Sequence, residues 1–308
     1  MKPRSARDRL LHRRLRAFER ALPEALGGDP DSVHKARVAS RRLREAVPVV
    51  LADASAKKVR RLARGFRRVT RALGPVRELD VTAGVLDEVA LAHPQQASSL
   101  QVVTRELQVE RERRRQEMLG AVEDARTDRL IALLRDVADP DDLQPVAVGQ
   151  SVSRAVLAVR IVRRVRGLQQ AVEAAGPLYA PAPLHRVRIS TKKLRYALEL
   201  AQELRLAPAR RPLRLLEQMQ ETLGRLHDLQ VLIERLASAQ ALLAASDLSA
   251  AADLARVTSD LDDECRRLHA QYVAAREPLL EAVAQALDLL TAVPARNVET
   301  EPVSHSIH

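Results

Sequence analysis

Two stretches constrain this chain more than any others: 34-HKARVASRRLR-44 and 185-HRVRISTKKLR-195. They write one cationic pattern twice, 151 positions apart (185 − 34). A second pair follows at nearly the same offset, 73-LGPVRELDV-81 and 223-LGRLHDLQV-231, separated by 150 (224 − 74). Two ordered matches at one offset read as an internal duplication of about 150 residues, so a fold must serve both copies. Each copy reads as a helical bundle.

The material for the core points the same way. Hydrophobic residues make up 46% of the chain but aromatics only 2%, with no Trp. A core of Leu, Val and Ala at helical spacing implies helix-on-helix packing, and ten glycines with few β-branched runs argue against sheets. The pattern predicts helices over 5–26, 32–53, 55–73, 76–93, 97–121 and 127–137 in the first copy. It predicts helices over 148–175, 184–206, 209–223, 226–245 and 250–288 in the second. Asp31 or Ser32 is the expected cap of the second helix, and Pro48 is expected to kink or end it. Gly74 and Gly224 read as helix stops. The fifth helix, with RELQVERERRRQEML as its body, carries opposite charges spaced to pair across turns. DPDDLQP (139–145) is the best boundary. The expectation is an all-α chain of two pseudo-symmetric bundles, 1–138 and 148–290, with a linker at 139–147 and a disordered tail at 291–308.

Charge is segregated. Residues 1–78 hold 22 Lys/Arg against 8 Asp/Glu, and residues 150–230 hold 15 against 6, within a chain whose net charge is +11. Segregation of this kind builds a cationic surface for a polyanion. On a helical wheel the first motif divides cleanly. With His34 at zero, Arg41 lies at about 340°, Arg37 at about 300° and Arg44 at about 280°. Lys35 and Arg42 flank that stripe, while Ala36, Ala39, Leu43, Ala46 and Val47 face the core. The second motif repeats the wheel. His185, Arg188, Lys192 and Arg195 form the stripe, Arg186 and Lys193 flank it, and Val187, Leu194 and Leu198 face inward. Helix 55–73 sets Val59, Leu62, Phe66, Val69 and Leu73 against Lys57, Arg60, Arg61, Arg64, Arg68 and Arg71. Of these, Arg60, Arg61 and Arg64 align with Arg210, Arg211 and Arg214, whereas Arg67, Arg68 and Arg71 align with Glu217, Gln218 and Glu221.

Like charges at i, i+3 and i, i+4 destabilise a helix by about 0.2–0.5 kcal/mol per pair, so each stripe is strained alone and relieved by a bound polyanion. Arginine outnumbers lysine, which suits forked hydrogen bonding to phosphate oxygens. A histidine heading each stripe can donate from one ring nitrogen or become charged beside phosphate. Glu78 and Asp228 suit a helix N-terminus or a neighbouring arginine better than a metal.

Other classes find no support in the sequence. Cys265 is the only cysteine, reads as a packing residue, and excludes a disulfide framework. No apolar run spans a membrane, no leader is visible, and a cytoplasmic protein is expected. There is no Gly-rich phosphate loop, no HExxH, no GxSxG, and no cofactor or metal site to expect. The expectation is a non-catalytic polyanion binder. Nucleic acid is the alternative partner, gripped by its phosphates, though scarce aromatics disfavour stacking on single strands.

HKARVASRRLR and LHRVRISTKKLR, each followed by LGxxxxLxV, resemble the CHAD family, the conserved histidine α-helical domain. The resemblance covers about residues 5–290. It implies two pseudo-symmetric helical bundles whose basic helices surround a shared central cleft. It also implies binding of inorganic polyphosphate and, for some members, association with polyphosphate granules. Carried over by motif, the binding positions are His34, Arg37, Arg41, Arg42 and Arg44, with His185, Arg188, Lys192, Lys193 and Arg195 in the second copy. Arg60, Arg61, Arg64, Arg210, Arg211 and Arg214, with Lys57, rest on the repeat and the wheel. The chain has no room for the triphosphate-processing CYTH domain fused to some relatives. In the second LG motif His227 stands where the first copy has Arg77.

Overall fold

The computed structural model describes residues 6–138, 146–206 and 209–291, and among them every regular element is a helix. The expected linker residues 139–145 and the tail from 292 onward lie outside the described residues. In chain order the helices are α1 (Ala6–Gly27), α2 (Pro30–Val50), α3 (Ala56–Ala72), α4 (Gly74–Ala92) and α5 (Ala97–Asp124). They continue as α6 (Thr127–Val137), α7 (Val146–Ala175), α8 (Pro181–Glu203), α9 (Arg210–Leu243) and α10 (Leu248–Thr291). A single 3₁₀ turn, Pro94–Gln96, joins α4 to α5. No helix among the described residues is long and apolar enough to cross a membrane.

The turn into α2 shows how local chemistry places the first cationic stripe. Gly28 adopts φ 97°, a left-handed conformation that side chains resist. A Cβ there would also sit 2.8 Å from the Arg115 side chain. The cap of α2 is Asp29, not Asp31 or Ser32: its carboxylate accepts from the Ser32 N–H at 2.8 Å. Pro30 follows at the first helical turn, where its missing N–H costs nothing. At the other end α2 stops two residues past Pro48. Its last carbonyls are not left bare: Arg7 Nε donates to the Val50 oxygen at 3.0 Å and the Ser153 hydroxyl to the Val49 oxygen at 2.8 Å.

The expected stop at Gly224 is overturned. α9 runs unbroken from 210 to 243 through that glycine, whereas in the first copy α3 ends and α4 begins around Leu73. The difference lies one residue later. Pro75 lacks an N–H and its ring clashes with the carbonyl of the preceding turn, while Arg225 in the second copy does neither. Proline, not glycine, makes the stop.

Two apolar clusters result. One joins Phe18, Leu43, Phe66, Leu130, Ile161 and Leu194 to the start of α9 and the end of α10. The other joins Leu86 of α4, Leu100, Val103 and Leu107 of α5, Leu232 of α9 and Leu254 of α10. Each cluster therefore draws on both sequence copies. The repeated LG motifs straddle the junction in both: Leu73, Val76, Leu223 and Leu226 belong to the first cluster, Leu79 and Leu229 to the second. The wheel's inward faces are buried, with Leu43, Val187 and Leu194 at 0% exposure. Cys265 is buried among the second cluster as a packing residue. Along α5, Arg113, Arg114 and Arg115 pair with Glu110, Glu112 and Glu117, as the charge spacing predicted.

Candidate functional site

The two stripes meet. Arg41 of α2 reaches α8, donating to the Tyr196 hydroxyl at 3.1 Å with its guanidinium carbon 5.5 Å from the ring centroid. Arg195 takes up a cation–π position on the same ring at 5.4 Å. One tyrosine thus holds an arginine from each copy.

Electrostatics extends the meeting to Arg37, Arg188 and Lys192. Burial, then the charges of Arg188, Arg41 and Arg37, pull the Lys192 ammonium down to about 7. Burial and Arg41 lower Arg37 to about 10. Burial also lowers Arg188, against the attraction of Asp228 3.7 Å away. The Nε atoms of Arg37 and Arg188 are buried without a hydrogen-bond partner. Cations from both copies are therefore packed more tightly than their acidic neighbours neutralise.

The LG motifs supply the walls. Glu78 of α4 acts electrostatically on Arg37, Arg188 and His185, and Asp228 of α9 on Arg188 and Lys192. Burial raises the Asp228 carboxyl even beside these cations. His227 packs on His185, ring centroids 4.7 Å apart. Burial, then Arg188, His185 and Lys192, hold His227 down to about 4. His185 is lowered by burial, Arg188 and Lys192, and His34 by burial, Arg77 and Arg37. All three imidazoles are therefore neutral donors or acceptors near neutral pH.

Not every predicted residue joins this cluster. Arg44 is turned to Glu45 at 3.0 Å, and Arg195 also pairs with Glu199 at 3.4 Å and Glu217 at 3.5 Å. Arg42 is exposed, its carbonyl receiving Arg14 at 2.8 Å. Lys193 lines a cavity between α7 and α8 instead. Arg61 and Arg64 line a separate cavity of about 540 Å³ with Arg126 and Arg129. Lys57, Arg60, Arg210, Arg211 and Arg214 are exposed, and among the described residues no hydrogen bond or ion pair ties them to the cluster. Sequence reasoning missed Tyr196, and it left His227 without a role. The RY pair at 195–196, in a chain with three tyrosines, was the one available signal for the first.

The CHAD domain family model matches residues 9–237, most of the chain. The chain belongs to the CHAD family. It is also similar to the crystal structure of the CHAD domain from the plant Ricinus communis, at 26% identity and TM-score 0.54. That similarity covers 94% of this chain and 92% of the plant one. No curated protein matches the chain. In this CHAD domain the two histidine-headed motifs occupy α2 and α8, and the second of them contacts an LG-motif histidine across to α9.

Proposed function

We propose that this CHAD domain binds inorganic polyphosphate, without turning it over, in the cluster where α2 meets α8. The observation that carries the reading is Lys192, held at about 7 by burial and by arginines of both copies. Burial first, and then the like charges of three arginines, depress this lysine, and an anion bound beside it would offset those charges. Arg37, Arg41 and Arg188 present guanidinium forks, and the neutral His34, His185 and His227 add single donors. Polyphosphate has closely spaced charges and no bases, which suits a cluster whose tyrosine is already engaged by Arg41 and Arg195. The family resemblance adds the further proposal of an association with polyphosphate granules.

The test compares affinities at fixed salt. Long-chain polyphosphate should bind far more tightly than orthophosphate, and duplex DNA or RNA at equal phosphate should not displace it. Arg41→Ala with Lys192→Ala should weaken binding by about tenfold or more, since each hydrogen bond to a charged group contributes about 1.5–3 kcal/mol. Removing Arg113 and Arg114 from α5 should change it less than about twofold, the effect of distant screened charges. Equal losses at both places, or preference for nucleic acid, would remove the reading. Steady phosphate release with Mg²⁺ or Mn²⁺ would remove "without turning it over".

A further inference from the structure

A cavity lies away from the cluster. It opens between α7 and α8 with a volume of about 760 Å³, within the about 300–1,000 Å³ range of small-molecule pockets. Arg160, Arg163 and Arg164 of α7 and Lys193 of α8 give it four cations. Val156 and Val159 give it an apolar surface, Gly167 leaves room, and Ser190 adds a hydroxyl. Val159 is 60% exposed and lies on the same cavity wall as Val156.

Two of the guanidiniums are anchored. Glu45, 8% exposed, accepts from Arg160 at 3.0 Å and from Arg164. Arg164 also donates to the backbone carbonyl of Lys193. Their planes are thus set before any ligand arrives, which lowers the ordering cost of binding. Arg163 and Lys193 have no acidic partner among the described residues. Glu45 is already shared with Arg44 at 3.0 Å, so among the described residues the cavity keeps an excess of positive charge. Arg160 registers that excess. Burial lowers it, Glu45 opposes, and Arg164, Arg44 and Arg163 lower it further.

We infer that this cavity binds a phosphate ester carrying a compact apolar body, of the size of a nucleotide. Anchored guanidiniums and Lys193 meet the phosphates by charge-assisted hydrogen bonds. The body covers Val156 and Val159, which a bare phosphate chain would leave wet. The site uses α7 and the flank of α8, not the α2–α8 cluster, and stands whether or not that cluster binds polyphosphate.

The probe is trinitrophenyl-ATP, whose fluorescence rises when its chromophore leaves water, titrated into the full chain. Saturable binding at one site is expected. ATP should displace the probe, and inorganic triphosphate should do so about tenfold less well, a difference of about 1.4 kcal/mol. Arg163→Ala removes a cation. Gly167→Leu fills the space, since a Cβ at Gly167 meets nothing within 4 Å. Each should weaken the probe about tenfold, with helix content and melting temperature retained. Arg41→Ala should leave probe affinity unchanged. Absence of saturable binding, equal displacement by inorganic triphosphate, or unchanged affinity in both cavity variants would overturn the inference.

Discussion

At the residue scale the consequence of Lys192 is a proton. Near pH 8 this ammonium, with its value at about 7, is mostly neutral in the ligand-free protein. On the proposed reading, a bound polyphosphate would add negative charge beside Lys192 and raise its value towards the ordinary lysine value, about 10.4, while burial continues to oppose it. Binding at pH 8 should therefore take up close to one proton, and affinity should fall as pH rises from about 7 towards 10. Calorimetry in two buffers of different ionisation enthalpy measures this directly, and identical heats would refute it. Lys192→Arg should keep affinity and lose the pH dependence. Stability moves the other way. The unfolded chain binds more protons than the folded one between about 7 and the ordinary lysine value, so unfolding free energy should rise with pH across that window. The basic identity of position 192 was legible in the motif. Its depressed value was not, because it arises in part from Arg37 and Arg41, about 150 positions away in sequence. The His185–His227 contact was hidden for the same reason: it joins α8 to α9.

At the scale of elements, two features decide how the cationic helices are held. Glu45 ties α2 to α7 through Arg160 and Arg164. Burial alone would raise its carboxyl, but Arg164, Arg160 and Arg44 outweigh burial and lower it. The stability it contributes is thus present above the ordinary glutamate value and is lost as pH falls through the lowered one. Glu45→Gln should cost about 1–3 kcal/mol, because it leaves partly buried guanidiniums without their carboxylate, and should flatten that acid limb in denaturant titrations. A wild-type-like acid limb would deny the clamp. The second feature is Gly224, inside a continuous α9 with nothing within 4 Å of an added Cβ. Gly224→Ala should stabilise by about 0.8 kcal/mol from helix propensity alone, read as a higher melting temperature. The sequence pattern misjudged this position because glycine stops a helix only where the chain turns left-handed. Gly224 does not turn, and the proline that breaks the first copy has no counterpart here.

At the scale of the molecule, the repeat and the packing divide the chain differently. The duplication is a property read in the sequence, and it located the helices that carry the motifs and the faces they bury. It did not show that apolar contacts would cross between copies, since hydrophobic periodicity names a face and not its partner. Phe66 and Leu130 share a cluster with Ile161 and Leu194, and Leu86 and Leu100 share the other with Leu232 and Leu254. α9 and α10 run through both clusters, so the first copy lacks the helices that complete its core. A fragment of residues 1–138 should then expose its share of both clusters and show no cooperative melting. A fragment of residues 146–308 should behave alike. Mixed, the two should recover helix content and a single transition, because the missing surfaces are complementary and the connection at 139–145 lies between described helices. Circular dichroism melting of each fragment and of the mixture checks this. If residues 1–138 alone melt cooperatively at the full-length temperature, the shared cores contribute little, and the meeting of Arg41 with Tyr196 must rest on surface docking of two independent bundles.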